Sequence, residues 1–113
     1  MIKIYHNPRC RKSREGLAFL EQSGQEYEEI RYLDTHFTKD DLLAVIEKLG
    51  ITPLQLVRTS ESIWKENFKG KTLTDDDIVN AMVQYPKLIE RPIIVNGNKA
   101  VVARPAEKIN EIL

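Results

Sequence analysis

At 113 residues, with 42% hydrophobic and 30% charged side chains, the chain has an ordinary globular composition and enough length for one core. Its 17 basic and 17 acidic side chains cancel, so no global field draws it to nucleic acid or to a membrane surface. One cysteine excludes an internal disulfide and suits a reducing compartment.

Met1 to Tyr5 alternates apolar and polar residues and reads as a strand. A helix follows from Cys10 to about Ser23, with Leu17, Ala18 and Leu20 on its apolar side and Gly24 after its end. Tyr27 to Leu33 alternates again and predicts a second strand, followed by a loop through Asp34, Thr35 and His36. Thr38 opens the clearest helix: Thr38 and Asp41 resemble a capping box, and Leu42, Leu43, Val45, Ile46 and Leu49 supply its apolar face up to Gly50. Short helical pieces are expected over Pro53–Arg58 and Ser60–Phe68. Thr74 caps another helix, which runs to Tyr85 and is stopped by Pro86. Its acidic start, Asp75 to Asp77, suits the positive end of a helix better than a metal site.

The last third predicts a β-hairpin, Ile93-Ile94-Val95 and Ala100-Val101-Val102 around an Asn96-Gly97 turn signal, and then a terminal helix from Pro105. The order is β-α-β, a helical insertion, and β-β-α. It implies one α/β domain over residues 1–113, a four-stranded mixed sheet flanked by helices with a thioredoxin-like arrangement. The N-terminus has no signal-peptide core and no apolar run reaches membrane-spanning length, so a cytoplasmic protein without membrane contact is expected. No long apolar seam is left over, which favours a monomer.

The chemistry centres on Cys10. Arg9, Arg11, Lys12 and Arg14 lie within four residues of it with no acid among them, and the predicted strand–helix junction puts it at a helix start. Both features favour the thiolate and predict a reactive cysteine. His6, four residues earlier, could serve as an acid or base. Ser13, one turn on, could donate its hydroxyl to the thiolate, where a Cys-x-x-Cys oxidoreductase would carry a resolving thiol. Arg58 ends the segment after Pro53, while Arg91 and Arg104 each precede a proline, which restricts their backbone to extended forms. Arginine's planar fork suits tetrahedral oxyanions.

His6-Asn7-Pro8-Arg9-Cys10-Arg11-Lys12-Ser13-Arg14, Tyr32-Leu33, Leu56-Val57-Arg58, the segment from Pro86 to Val95 and Arg104-Pro105-Ala106-Glu107 together resemble the glutaredoxin-coupled arsenate reductase family, in order and over essentially the whole chain. The resemblance implies a thioredoxin-like fold with a helical insertion, Cys10 as the catalytic cysteine, and Arg58, Arg91 and Arg104 as the holders of arsenate and arsenite. It places His6, Ser13 and Arg14 around the site and makes the Arg91–Pro92 peptide cis. It further implies no bound cofactor, glutathione as co-substrate and glutaredoxin as the partner that clears the mixed disulfide. Members often continue past the last helix, whereas this chain ends at Leu113 with every motif residue retained.

Two other classes stay open on sequence. One is a thiol-stress transcription regulator that binds RNA polymerase; that group carries Cys-x-x-Cys, and Ser13 here removes the second thiol. The other is a glutathione-linked oxidoreductase with a different small substrate, for which the arginines would be unmatched. A Cys-x5-Arg phosphatase loop is excluded, since Gly16 holds the arginine position.

Overall fold

A computed structural model describes all 113 residues. The chain folds as two compact units: Met1–Thr35 with Arg91–Leu113, and His36–Glu90 between them in sequence.

The first unit carries strand β1 (Ile2–Tyr5), helix α1 (Arg11–Gln22), strand β2 (Tyr27–Ile30) and a one-turn helix α2 (Tyr32–Thr35). After the second unit it resumes with strands β3 (Ile93–Asn96) and β4 (Lys99–Val102), then a 3-10 helix, Ala106–Glu111. The sheet order is β2-β1-β3-β4; β1 and β2 are parallel, and β1–β3 and β3–β4 are antiparallel. This is the thioredoxin-like mixed sheet that the element order implies.

The alternation of β1 turns Ile2 and Ile4 to one face, where Ile4 pairs across the sheet with Ile94. Those residues join Leu20 from α1 and Ala103, Ile109 and Ile112 from the C-terminal segment in one apolar cluster. β3 is buried along Ile93, Ile94 and Val95, as befits a central strand covered on both faces. Helix α1 approaches the start of β3 closely because Gly16 has no side chain: a Cβ there would stand 2.6 Å from Pro92 Cγ.

The second unit contains α3 (Lys39–Leu49), α4 (Ser62–Asn67), α5 (Asp75–Gln84) and 3-10 turns at Pro53–Leu56 and Pro86–Leu88. Helix α5 packs on α3 and on both turns, with Leu42, Val45, Leu56, Ile78, Met82 and Leu88 buried. Both expected N-caps are made: the Thr38 hydroxyl accepts the Asp41 N–H, and Thr74 and Asp77 form a reciprocal capping box. The first turn of α5 is thus used for capping, and Asp76 pairs at 2.6 Å with Lys39.

Three local expectations change. The second strand ends at Ile30, and Tyr32–Thr35 is a helical turn in place of extended chain. Tyr32 is buried from that helical turn. The hairpin loop is Gly97-Asn98, because Asn96 and Lys99 pair as strand residues. Gly97, at φ 63°, takes the first central position, as a II′ turn requires. The terminal helix is 3-10, with Pro105 at its N-cap.

Ile94→Ala removes a fully buried side chain from the apolar cluster of the first unit. We expect a loss of about 2–5 kcal/mol, read as a lower urea midpoint.

Candidate active site

The first unit gathers six of the seven residues singled out by sequence: His6, Cys10, Ser13, Arg14, Arg91 and Arg104. Arg58 belongs to the second unit, immediately after the Val57–Ile89 bridge. Its N–H donates to the Leu88 carbonyl at 2.7 Å, and its Nε meets Glu61 Oε1 at 3.3 Å.

Cys10 is the N-cap of α1, with extended backbone angles (φ −94°, ψ 124°), and its sulfur is half-buried. Burial by itself pushes the thiol up. A hydrogen bond from the Arg91 guanidinium, the N–H groups of Ser13 and Lys12, and the charge of Arg91 outweigh it, and the thiol lies below its ordinary value of 9.0. The expectation of an acidic thiol at a helix start therefore has a structural basis, but the principal guanidinium comes from far along the chain. Among the adjacent basic residues, only a backbone contribution, from Lys12, faces the sulfur.

The turn that presents Cys10 is held by a buried polar cluster. His6, Asn7 and Ser13 are 3%, 7% and 0% exposed, so their polar atoms need partners within the protein. His6 Nδ1 and Ser13 Oγ are 2.7 Å apart. Ser13 Oγ also accepts the Asn7 N–H at 2.9 Å. Asn7 then serves the loop twice: its carbonyl accepts the Cys10 N–H at 3.0 Å, and its Oδ1 accepts the Arg9 N–H at 3.0 Å. Arg14 closes the loop from outside by donating to the Pro8 carbonyl at 3.0 Å.

These contacts redistribute the expected roles. The Ser13 hydroxyl, expected to donate to the sulfur, is taken up by His6 and Asn7, and Ser13 faces Cys10 through its N–H. His6 is anchored at its own N–H by the Ile30 carbonyl, 2.8 Å away at the end of β2. Burial is the main effect on its imidazole and lowers it; Glu29 opposes, Arg31 adds to the lowering, and the ring lies below its ordinary value of 6.5. Its neutral form is therefore favoured in the folded protein. Asn7 had no assigned role from sequence; the Asn-Pro dipeptide signalled a turn, but not that the asparagine would organise it.

Arg91 and Arg104 lie at the start of β3 and just past β4, which the hairpin brings side by side. Both are followed by cis peptide bonds, Arg91–Pro92 and Arg104–Pro105; the resemblance implied only the first. Arg104 donates through Nη1 to the Arg91 carbonyl at 3.5 Å, and the Ala103 N–H to the Pro92 carbonyl at 2.9 Å. The unit thus sets a half-buried thiolate-forming sulfur beside one guanidinium and ties a second to the backbone of the first. Such an arrangement can attack an electrophilic centre and stabilise oxyanion charge.

The lowered His6 has a stability consequence. Below pH 6.5 the unfolded chain binds a proton that the folded ring resists, so stability falls as pH drops through the window beneath that value. Urea midpoints at stepped pH should show this loss, and His6→Gln, which cannot titrate, should lack that part of it.

The model of the ArsC family matches residues 5–112, which span the cysteine loop, both Arg-Pro segments and the intervening unit. An arsenate reductase of Escherichia coli (strain K12) is 39% identical over 113 residues, 99% of this chain and 80% of that protein. YfgD of the same organism, an uncharacterized protein, is 42% identical over 99% of this chain and 96% of its own length. Among solved structures, an arsenate reductase from Vibrio cholerae shares the fold at a TM-score of 0.94 with 42% identity, covering 99% of this chain and 97% of that one. On these matches the chain belongs to the ArsC family.

Proposed function

We propose that the protein is a cytoplasmic enzyme that reduces arsenate to arsenite at Cys10, with glutathione and glutaredoxin as external reductants. The observation that carries this reading is the half-buried Cys10 sulfur under the Arg91 guanidinium at the start of α1. A thiolate held there is a nucleophile, and the same guanidinium can hold the oxygens of a tetrahedral anion over it. Family membership and the arsenate reductases among its relatives support arsenate as that anion.

In this mechanism arsenate enters with its oxygens on Arg91 and Arg104; the family resemblance names Arg58 as a third arginine for the anion. The Cys10 thiolate attacks arsenic, an S–As bond forms, and one oxygen leaves as water after protonation. Glutathione thiolate then attacks the Cys10 sulfur. The new S–S bond forms as the S–As bond breaks, and its electron pair goes to arsenic, taking As(V) to As(III). Glutaredoxin thiolate attacks the glutathione sulfur of the mixed disulfide and returns Cys10 as thiolate. Ser13 acts on the sulfur through its N–H, and His6, through Ser13 Oγ, holds the loop in register. With no second cysteine in the chain, the resolving thiol must come from outside. A regulator that switches by an internal disulfide lacks its second thiol here, so the enzyme reading is preferred.

Cys10→Ser should abolish turnover in an assay with arsenate, glutathione, glutaredoxin and NADPH. Retained turnover in that variant, or a folded but inactive native chain, would overturn the mechanism. Arg91→Ala should raise the thiol, so that the pH midpoint of iodoacetamide alkylation moves up. The same change should lower kcat/KM by roughly 10- to 100-fold, the cost of one charge-assisted hydrogen bond.

A further inference from the structure

Arg91, Arg104 and Arg58 are used in the mechanism and Arg14 holds the Pro8 carbonyl, which leaves three cations around Cys10 without a task. Arg9 is exposed; its N–H is held by Asn7, and no carboxylate stands against its guanidinium. Arg11 and Lys12 are 83% and 51% exposed and share one carboxylate, Glu15, at 3.3 and 3.5 Å. With Arg14 also exposed, four cations face a single acid between positions 9 and 15, in a chain whose total charge is zero. Exposed pairs such as these contribute little stability, so the cluster is not explained by folding.

The collar flanks the sulfur directly. Arg9 and Arg11 are the immediate chain neighbours of Cys10 and Lys12 is the next, and their exposed side chains put net positive charge on the surface around the half-buried sulfur. They therefore act on whatever approaches Cys10. Arsenate is small and is met at the half-buried Arg91 and Arg104. A peptide thiol is larger than arsenate and carries its carboxylates several bonds away from its own sulfur, so charge around the mouth of the site acts on it as well as charge at Arg91 and Arg104.

We propose that Arg9, Arg11 and Lys12 recruit to Cys10 a small thiol that carries carboxylates, the class to which glutathione belongs, in preference to neutral or cationic thiols. The proposal rests on the reductase reading for its biological setting, but the selectivity belongs to the resting thiolate and needs no arsenate.

Disulfide exchange on the free enzyme tests it, with one bond made and one broken: the Cys10 thiolate attacks a symmetric disulfide, forms a mixed disulfide and releases the other half as a thiolate. The probes are oxidised glutathione (anionic), 2-hydroxyethyl disulfide (neutral) and cystamine (cationic). Dividing each charged reagent's low-to-high-salt rate ratio by that of the neutral disulfide cancels intrinsic reactivity and any salt-dependent change in thiolate fraction. Between about 10 mM and 300 mM salt, the oxidised glutathione rate should fall roughly tenfold, the neutral rate should hold, and the cystamine rate should rise. The Arg9→Gln/Arg11→Gln/Lys12→Gln variant should lose most of that dependence. Absence of the salt effect in the native chain overturns the proposal. So does its full persistence in the variant, which would locate the attraction at Arg91 and Arg104. A collar that accelerates only reaction with glutaredoxin, leaving all three small disulfides alike, overturns it in favour of protein docking. Failure of arsenate turnover would leave these outcomes readable, so the two readings fail separately.

Discussion

The hydrogen bond from the Arg91 guanidinium to the Cys10 sulfur joins the two sequence segments of the first unit at their most demanding point. A half-buried sulfur resists ionisation, and burial is the largest single influence on this one. The thiolate survives because Arg91 and the N–H groups of Lys12 and Ser13 are already aimed at it. Those donors are effective only if the first turn of α1 is held in place. Asn7 and Ser13 do that work with bonds of 2.9 to 3.0 Å, in a cluster that excludes solvent. Acid–base behaviour at the surface of the unit is thus set by hydrogen bonds in its interior.

Much of this was legible in the sequence. The strand–cysteine–helix opening, the capped helices of the second unit and the Asn-Gly hairpin rest on local chemistry, which a linear reading captures. The errors are also local in origin. At Tyr32 the side chain takes its place in the interior from a helical turn, and the tertiary environment overrides a β-like alternation. At the hairpin, both Asn96 and Gly97 favour a turn, so sequence located the reversal but not its register.

The site was legible by residue type and less so by role. Cys10 and the arginines could be named because their chemistry is unusual at those positions. That Ser13 would use its N–H, and that Asn7 would organise the loop, depends on hydrogen-bond directions fixed only by the folded backbone. The basic neighbours of Cys10 show the converse. Their proximity in sequence suggested control of the thiol, yet apart from the Lys12 N–H they point outward and Arg91 provides the main charge. Adjacency along a chain and convergence in space are different kinds of nearness.

The first unit is assembled from residues 1–35 and 91–113, with β1 paired to β3 across that gap. A ribosome making this protein releases Cys10 early and Arg91 about 80 residues later. Until β3 is seated, the sulfur lacks the Arg91 guanidinium that helps to lower the thiol in the folded unit. The full set of donors around the sulfur thus exists only once both segments of the discontinuous unit have come together.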